Sequence, residues 1–196
     1  QGPSGGNIQP WQFVVLTDEA DRAWMGECYR SCYLRYERAL LAATPPQRDE
    51  ESQVSWDRTI AASRHLAEHL GEVPVHVLVC MPEIDLTLTD ADGPMDIGTT
   101  AASVYPAVQN LVLAARGFGL GSVVTTVFRI RHDEVRDRFG IPDGWSIAAL
   151  VPVGRPLGRF GVARRKPVEK VTHWGRWGQR REFESPGYVA PGGLDR

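Results

Sequence analysis

The pattern of apolar and polar positions separates strands from helices along most of this chain. Residues 12–17 (QFVVLT) form a short β-rich run. Asp18 follows it as an N-cap, a carboxylate placed to accept from the free amides of a helix over about 19–43. That helix must end before Pro45-Pro46, which cannot continue it. The polar segment TPPQRDEESQ reads as a loop, and a second helix over about 54–70 stops at Gly71. Residues 74–81 (PVHVLVCM) are mostly apolar and bounded by proline, the pattern of a buried strand.

Residues 82–97 (PEIDLTLTDADGPMDI) read as irregular and acidic. The stretch SVYPAVQNLVLAARGFGLG is the most helical of all. It is apolar almost all round, which predicts a central helix over 102–116 buried on several sides. Pro106 then belongs in its first turn, where a missing N–H does little harm. Gly117 and Gly119 end it. Residues 121–128 (GSVVTTVF) and 146–153 (SIAALVPV) read as strands, separated by the small helix RHDEVRDRFG and the turn IPDG. Beyond Pro156, Gly, Pro and Arg predominate, as in an extended arm. The predicted fold is therefore α/β (α+β): one domain over 1–196, with a mixed central sheet flanked by helices and an extended C-terminal arm over 155–196.

Composition narrows the function. The 196 residues are 42% apolar and 23% charged, ordinary values for one globular domain. A formal net charge of -2 argues against a nucleic-acid binder. No apolar run approaches the ~20 residues of a membrane span, so no membrane partner is expected. Three cysteines, at 28, 32 and 80, form neither a disulfide framework nor a zinc ribbon. Cys28 and Cys32 share a helix face and read as packed thiols, which suits a reducing cytoplasm. The chain begins at Gln1, already in a loop, and we expect that residues upstream are missing.

Two motifs are weaker than they look. His65-Leu66-Ala67-Glu68-His69 matches the HxxEH zinc pattern, but a five-residue match arises easily by chance and no third-ligand motif follows, so no metal is expected. Gly117-Phe118-Gly119-Leu120-Gly121 closes a helix and opens a strand, the reverse of a dinucleotide loop.

Three distant segments make more sense together. Gly2-Pro3-Ser4-Gly5-Gly6-Asn7 leads into the first strand as a small-residue loop, which is either a plain turn or a backbone that approaches an anion or heterocycle. Gly119 to Thr126 offers glycines and adjacent threonines, either strand filler or hydroxyls at a site. From 155 to 181 there are nine Arg or Lys and one acidic residue, Glu169, either a solvated tail or a phosphate partner.

Taken in order, the Pro-Ser-Gly-x-Asn-x-Gln-Pro-Trp loop, the Pro-Ala-Val-Gln-Asn-Leu helix running into Gly-Leu-Gly-Ser, the Pro-x-Gly-x-Pro turn at 152–156 and the Arg-Arg-x-Pro arm at 164–167 resemble the nitroreductase family. Val171-Thr172-His173-Trp174 resembles an actinobacterial-type branch of it. The resemblance spans residues 2 to about 177. It implies an intertwined homodimer with FMN at the interface. Pro3, Ser4, Gly5 and Asn7 would reach the partner's flavin. Gly121, Val124, Thr125 and Thr126 would lie against the isoalloxazine, with the two threonines near N5 and O4 as the candidate catalytic residues. Arg165, with Arg164 second, would meet the phosphate. The family's upstream Arg-x-x-Arg helix has no counterpart here.

The activity implied is a ping-pong oxidoreductase. NAD(P)H would stack directly on the flavin and leave, and a small-molecule acceptor, usually a nitroaromatic or quinone, would follow. Reductive dehalogenation, flavin breakdown or flavin sequestration on the same fold are the rival expectations.

Overall fold

The computed structural model describes residues 1–45, 49–158, 160–161 and 165–181. The chain divides into two compact units, Gln1–Pro156 and Leu157–Arg196.

In the first unit, β1 (Gln12–Leu16) leads through Asp18 into α1 (Glu19–Ala43). Asp18 caps it as expected, its carboxylate accepting from the Ala20 and Asp21 amides at 2.9 and 3.2 Å. Helix α2 (Glu50–His69) starts earlier than the apolar pattern predicts, because the Asp49 carboxylate caps it through the Ser52 amide at 2.8 Å. Strand β2 (Val75–Pro82) follows. Residues 82–97, expected to be irregular, instead form a hairpin of β3 (Asp85–Asp90) and β4 (Gly93–Thr99). Its turn is set by Asp90, whose side chain accepts from the Asp92 amide at 2.9 Å, and by Gly93 at φ 117°.

Helix α3 (Ala101–Gly117) begins before the expected start, so Pro106 sits beyond the first turn and leaves the Ala102 carbonyl without its helical donor. The helix is also less buried than expected. Val104, Ala107, Val108 and Ala115 face the core, while Leu113 remains 58% exposed. Strand β5 is only Gly121–Ser122, and α4 (His132–Arg138) precedes β6 (Trp145–Gly154).

The main sheet has the order β1-β2-β6-β5, and every described pairing in it is antiparallel, where a mixed sheet was expected. On one face, Leu78, Cys80, Ile147 and Leu150 pack against Met25, Tyr29, Cys32 and Phe128. On the other, Val77, Val79, Ala148, Ala149 and Val151 pack against Val104 and Val108 of α3. The register shifts between Val79 and Cys80, which pair with Ala149 and Ile147. Ala148 is thus an extra residue, and the bulge turns both alanines toward α3. The Tyr105 hydroxyl donates to the Ala148 carbonyl at 3.1 Å.

Beyond the bulge, side chains replace a strand along the edge of β6. Arg129 donates to the Ile147 carbonyl at 2.6 Å, and His132 Nε2 accepts from the Ile147 amide at 3.1 Å. The expected strand over 121–128 keeps its register with β6 as far as Thr125 but is broken opposite Pro152, which has no N–H to donate, and Arg129 and His132 occupy the edge beyond Thr125. Thr125 makes one isolated bridge to Leu150, and Val127–Arg131 is a 3-10 turn.

Helix α1 presses on the turn Leu70–Glu72 through paired glycines. A Cβ on Gly26 would lie 2.7 Å from the Gly71 nitrogen and 2.8 Å from its Cα, both backbone atoms. Gly26→Ala should therefore destabilise the fold by about 1–3 kcal/mol through overpacking, although alanine is the better helix former by ~1 kcal/mol. A denaturant midpoint equal to or above the parent's would refute the close contact.

Candidate functional site

The loop before β1 is folded onto α3. A Cβ on Gly2 would meet the Ala107 nitrogen at 2.7 Å, so only glycine allows this approach, beside the turn that Pro106 opens. The Gly5 amide donates to the Ser103 hydroxyl at 3.2 Å. Gly5–Asn7 makes one 3-10 turn, with Gly6 at φ 57°, Asn7 at φ 55° and Gln9 at φ 47°. Left-handed backbone at two non-glycine residues costs of order 1–3 kcal/mol each, a cost that concentrates at functional loops.

Side-chain bonds within the loop determine what it presents. Ser4 Oγ accepts from the Gln9 amide at 2.8 Å, which leaves its proton to donate. Asn7 Oδ1 accepts from Gln9 Nε2 at 3.1 Å, which leaves the Asn7 amide nitrogen as a donor. Pro3, Gly5 and Asn7 are exposed and Ser4 is half-buried. The loop is thus a small cluster of outward donors on a backbone held in place by α3.

The second segment forms the opposite edge of the sheet. Gly121 pairs with Gly154 and Ser122 with Val153. Val123 and Val124 then stand 42% and 40% exposed. Thr125 is held on all its polar groups. Its amide donates to the Leu150 carbonyl at 3.0 Å, its carbonyl accepts from the Leu150 amide at 2.9 Å, and its hydroxyl lies 2.9 Å from the Tyr29 hydroxyl. Thr126 is exposed, and its hydroxyl makes no capping bond to the 3-10 turn that follows. The two threonines, equivalent by sequence, are therefore distinct: one is tied into the core and the other is presented.

A cleft of about 230 Å³ adjoins this edge, lined by Gly121, Ser122, Val123, Leu66, Pro152 and Arg155 among others. A larger groove of about 680 Å³ runs between α1 and α2 beside Gly26 and Gly71, but it contains none of the residues selected by sequence. Among the described residues no hydrogen bond joins the Ser4–Asn7 loop, which packs on α3 and leads into β1, to the Gly121–Thr126 edge at the other end of the sheet.

Arg165 is described, exposed, and belongs to the second unit, just before a 3-10 turn at Val168–Lys170. Arg164 lies outside the described residues. Within that unit His173 and Trp177 stack with centroids 4.2 Å apart, and the Trp174 amide donates to the Gln179 carbonyl at 2.7 Å.

Sequence reasoning missed Tyr29. It falls on the buried stripe of α1 with Met25, Cys28 and Cys32, where an aromatic reads as core filler, and no local signal tells its hydroxyl from a ring edge. The thiols on the same stripe are inert. Burial pushes the Cys28 thiol up to about 12, with the neighbouring Cys32 adding to the shift, and burial alone pushes Cys80 up to about 11. The His65 and His69 rings pack with centroids 4.4 Å apart and planes tilted by 40°, and His69 Nδ1 sits 2.9 Å from Glu72. Among the described residues, no group of three or more His, Cys, Asp or Glu that could hold a metal ion is present.

Comparison with known proteins gives relatives of similar size. A 5,6-dimethylbenzimidazole synthase from Rhodospirillum rubrum is 29% identical over 84% of this chain and 74% of its own length. An NADH dehydrogenase from Thermus thermophilus is 27% identical over 89% of this chain and 80% of its own. The crystal structure of an iodotyrosine deiodinase bound to FMN and 3-iodo-L-tyrosine superposes with a TM-score of 0.56 at 26% identity, covering 85% of this chain and 81% of that one. The family model of the nitroreductases matches residues 1–155, the whole of the first unit but its last residue, and the chain belongs to the nitroreductase family.

Proposed function

We propose that this protein is an FMN-dependent oxidoreductase that takes electrons from NAD(P)H and passes them to a small oxidised acceptor, with nitro and quinone compounds as the first candidates. The observation that carries this reading is the edge segment, in which pinned Thr125 leaves Val124 and Thr126 standing outward. An apolar side chain beside a free hydroxyl suits the face and polar edge of an isoalloxazine. The loop supports the same reading from the other side. Flavin carbonyls and phosphate oxygens are acceptors, and the Ser4 hydroxyl and Asn7 amide nitrogen are donors. When bound, FMN supplies reversible electron transfer between a nicotinamide and the acceptor. The chain's own residues bind it, orient it and tune it: Thr126 at the reacting edge, Pro3, Ser4, Gly5 and Asn7 at the heterocycle, and Arg165 and Arg164 at the phosphate.

The separation of loop and edge supports a homodimer in which each site takes its loop from the other subunit. Exposed apolar surface supports it too. Phe13 and Val15 pair across β1–β2 with Val79 and Val77, so they lie on the α3 side of the sheet, yet they are 41% and 54% exposed. The 230 Å³ cleft falls below the range usual for a cofactor site, roughly 300–1,000 Å³, so a second subunit would have to complete it.

A second reading stays within flavin chemistry. The dimethylbenzimidazole synthase and the deiodinase among the relatives favour flavin breakdown or reductive dehalogenation. Consumption of FMN under oxygen would select the first and halide release the second. Tight FMN without NAD(P)H turnover would instead mark a flavin-binding protein.

Purified protein should hold about one FMN per chain, released on denaturation; recovery of FAD, haem or zinc without FMN would refute the proposal. Light scattering at micromolar concentration should give the mass of a dimer, and a monomer that retains FMN would contradict the shared site. Arg165→Ala should weaken FMN binding about ten- to a hundredfold, the roughly 1.5–3 kcal/mol of a charge-assisted pair, with turnover recovering at saturating FMN. Thr126→Ala should leave affinity nearly unchanged but shift the flavin midpoint by about 20 mV, the equivalent of one hydrogen bond. Parent-like FMN titration of the first variant would remove the arm from the site, and a parent-like potential of the second would remove the threonine.

A further inference from the structure

Tyr29 is only 2% exposed, surrounded by the core on α1, yet it carries a hydroxyl that a phenylalanine would not need to bury. Burying a hydroxyl without a partner costs free energy, so its partner is informative. That partner is Thr125 Oγ1 at 2.9 Å, ninety-six residues away in sequence. Thr125 is already bridged to Leu150 through both backbone groups. The bridge fixes the position of the segment but leaves its side chains free to choose rotamers. The phenol adds the missing constraint by drawing the Thr125 hydroxyl toward α1.

This constraint acts on a segment with little else to hold it. Regular pairing ends at Ser122, and the next regular element is the 3-10 turn from Val127. Between them, Val123, Val124 and Thr126 are exposed and depend on Thr125 for their orientation. Burial also raises the tyrosine's pKa, so the phenol is a neutral hydrogen-bonding group and neither a base nor a proton source.

We propose that Tyr29 is a positioning residue of the cofactor site: its buried hydroxyl locks Thr125 and thereby presents Val124 and Thr126 to the flavin. The proposal rests on the reading above, that FMN lies against this segment. It adds a residue from the opposite side of the core and assigns Thr125 to the scaffold, leaving Thr126 as the hydroxyl that faces the cofactor.

Tyr29→Phe, Thr125→Val, the double variant and Thr125→Ser are compared with the parent in two measurements. The first is amide hydrogen exchange over residues 121–128 without added cofactor. Exchange at the Thr125 amide, which the Leu150 carbonyl holds, should quicken about two- to tenfold in Tyr29→Phe and in Thr125→Val, the loss of one neutral hydrogen bond. The double variant should go no further than either single, and Thr125→Ser should match the parent. Unchanged exchange, or an increase spread evenly over the chain, would overturn the proposal. The second is the midpoint potential and visible spectrum of the FMN-loaded protein. Tyr29→Phe should shift both in the direction of Thr125→Val while still holding one FMN per chain; a parent-like potential and spectrum would overturn the flavin half of the proposal. A parent protein that holds no FMN would refute the cofactor reading and that half with it, while hydrogen exchange would still decide whether the tyrosine holds the segment.

Discussion

The extra residue on β6 opposite the Val79–Cys80 step sets the geometry on both faces of the sheet. Two consecutive alanines turn toward α3, giving a shallow floor on which the helix can lie close. The carbonyl of Ala148 leaves the ladder and is taken by Tyr105, which ties α3 to the bulge. On the edge, β5 and Thr125 keep one register with β6, but opposite Val123 they meet Pro152, which has no N–H to donate. The ladder is interrupted there, and beyond Thr125 the Ile147 backbone is engaged by Arg129 and His132 rather than by a strand.

The packing on the two faces is unequal. The α1 side is closed by α1, the Leu70–Glu72 turn and the Val127–Arg131 turn, with Met25, Leu70, Phe128 and Val135 fully buried. The α3 side is covered only over β2 and β6. Phe13 and Val15 of β1 and Leu113 of α3 remain open, as do Leu88, Met95 and Ile97 of the hairpin. One core is thus closed, while the α3 side of the sheet keeps apolar surface that the chain itself leaves uncovered.

Much of this was legible in the sequence. Helix α1 and its Asp18 cap, the strands β2 and β6 and the small helix α4 all follow from period, capping and proline placement. Some misses arose because tertiary partners overrode local pattern, and others because a local turn or capping signal was passed over. Val123 to Phe128 has strand composition, but Pro152 interrupts the ladder opposite Val123, and Arg129 and His132 occupy the edge beyond Thr125. The 82–97 segment hid a hairpin because Asp90-Ala91-Asp92-Gly93 is a turn signal inside an acidic run. Pro106 lies deeper in α3 than its chemistry favours, with the glycine loop packed against its turn. Ser4, Asn7, Thr125 and Thr126 could be selected by resemblance, but their roles depend on bonds between segments up to ninety-eight residues apart. Gln9, whose amide and side chain organise the loop, stands in the motif that carries the resemblance, but nothing local gave it a role.

The two threonines show how the core can determine which group acts at a surface site. Both have the same side chain, adjacent positions and comparable intrinsic preferences. What separates them is the Thr125 bridge to Leu150 and a single buried phenol on α1. A hydroxyl already bonded to tyrosine has less freedom to follow changing charge on a ligand, because reorienting it leaves a buried partner unsatisfied. The exposed hydroxyl pays no such penalty and can reorient as charge develops. If a flavin lies against this segment, the backbone would be held through Thr125 and the responsive hydroxyl left free at Thr126. A fixed frame beside an adaptable donor is what an oxidoreductase needs if one cofactor must accept electrons from one partner and yield them to another in the same pocket.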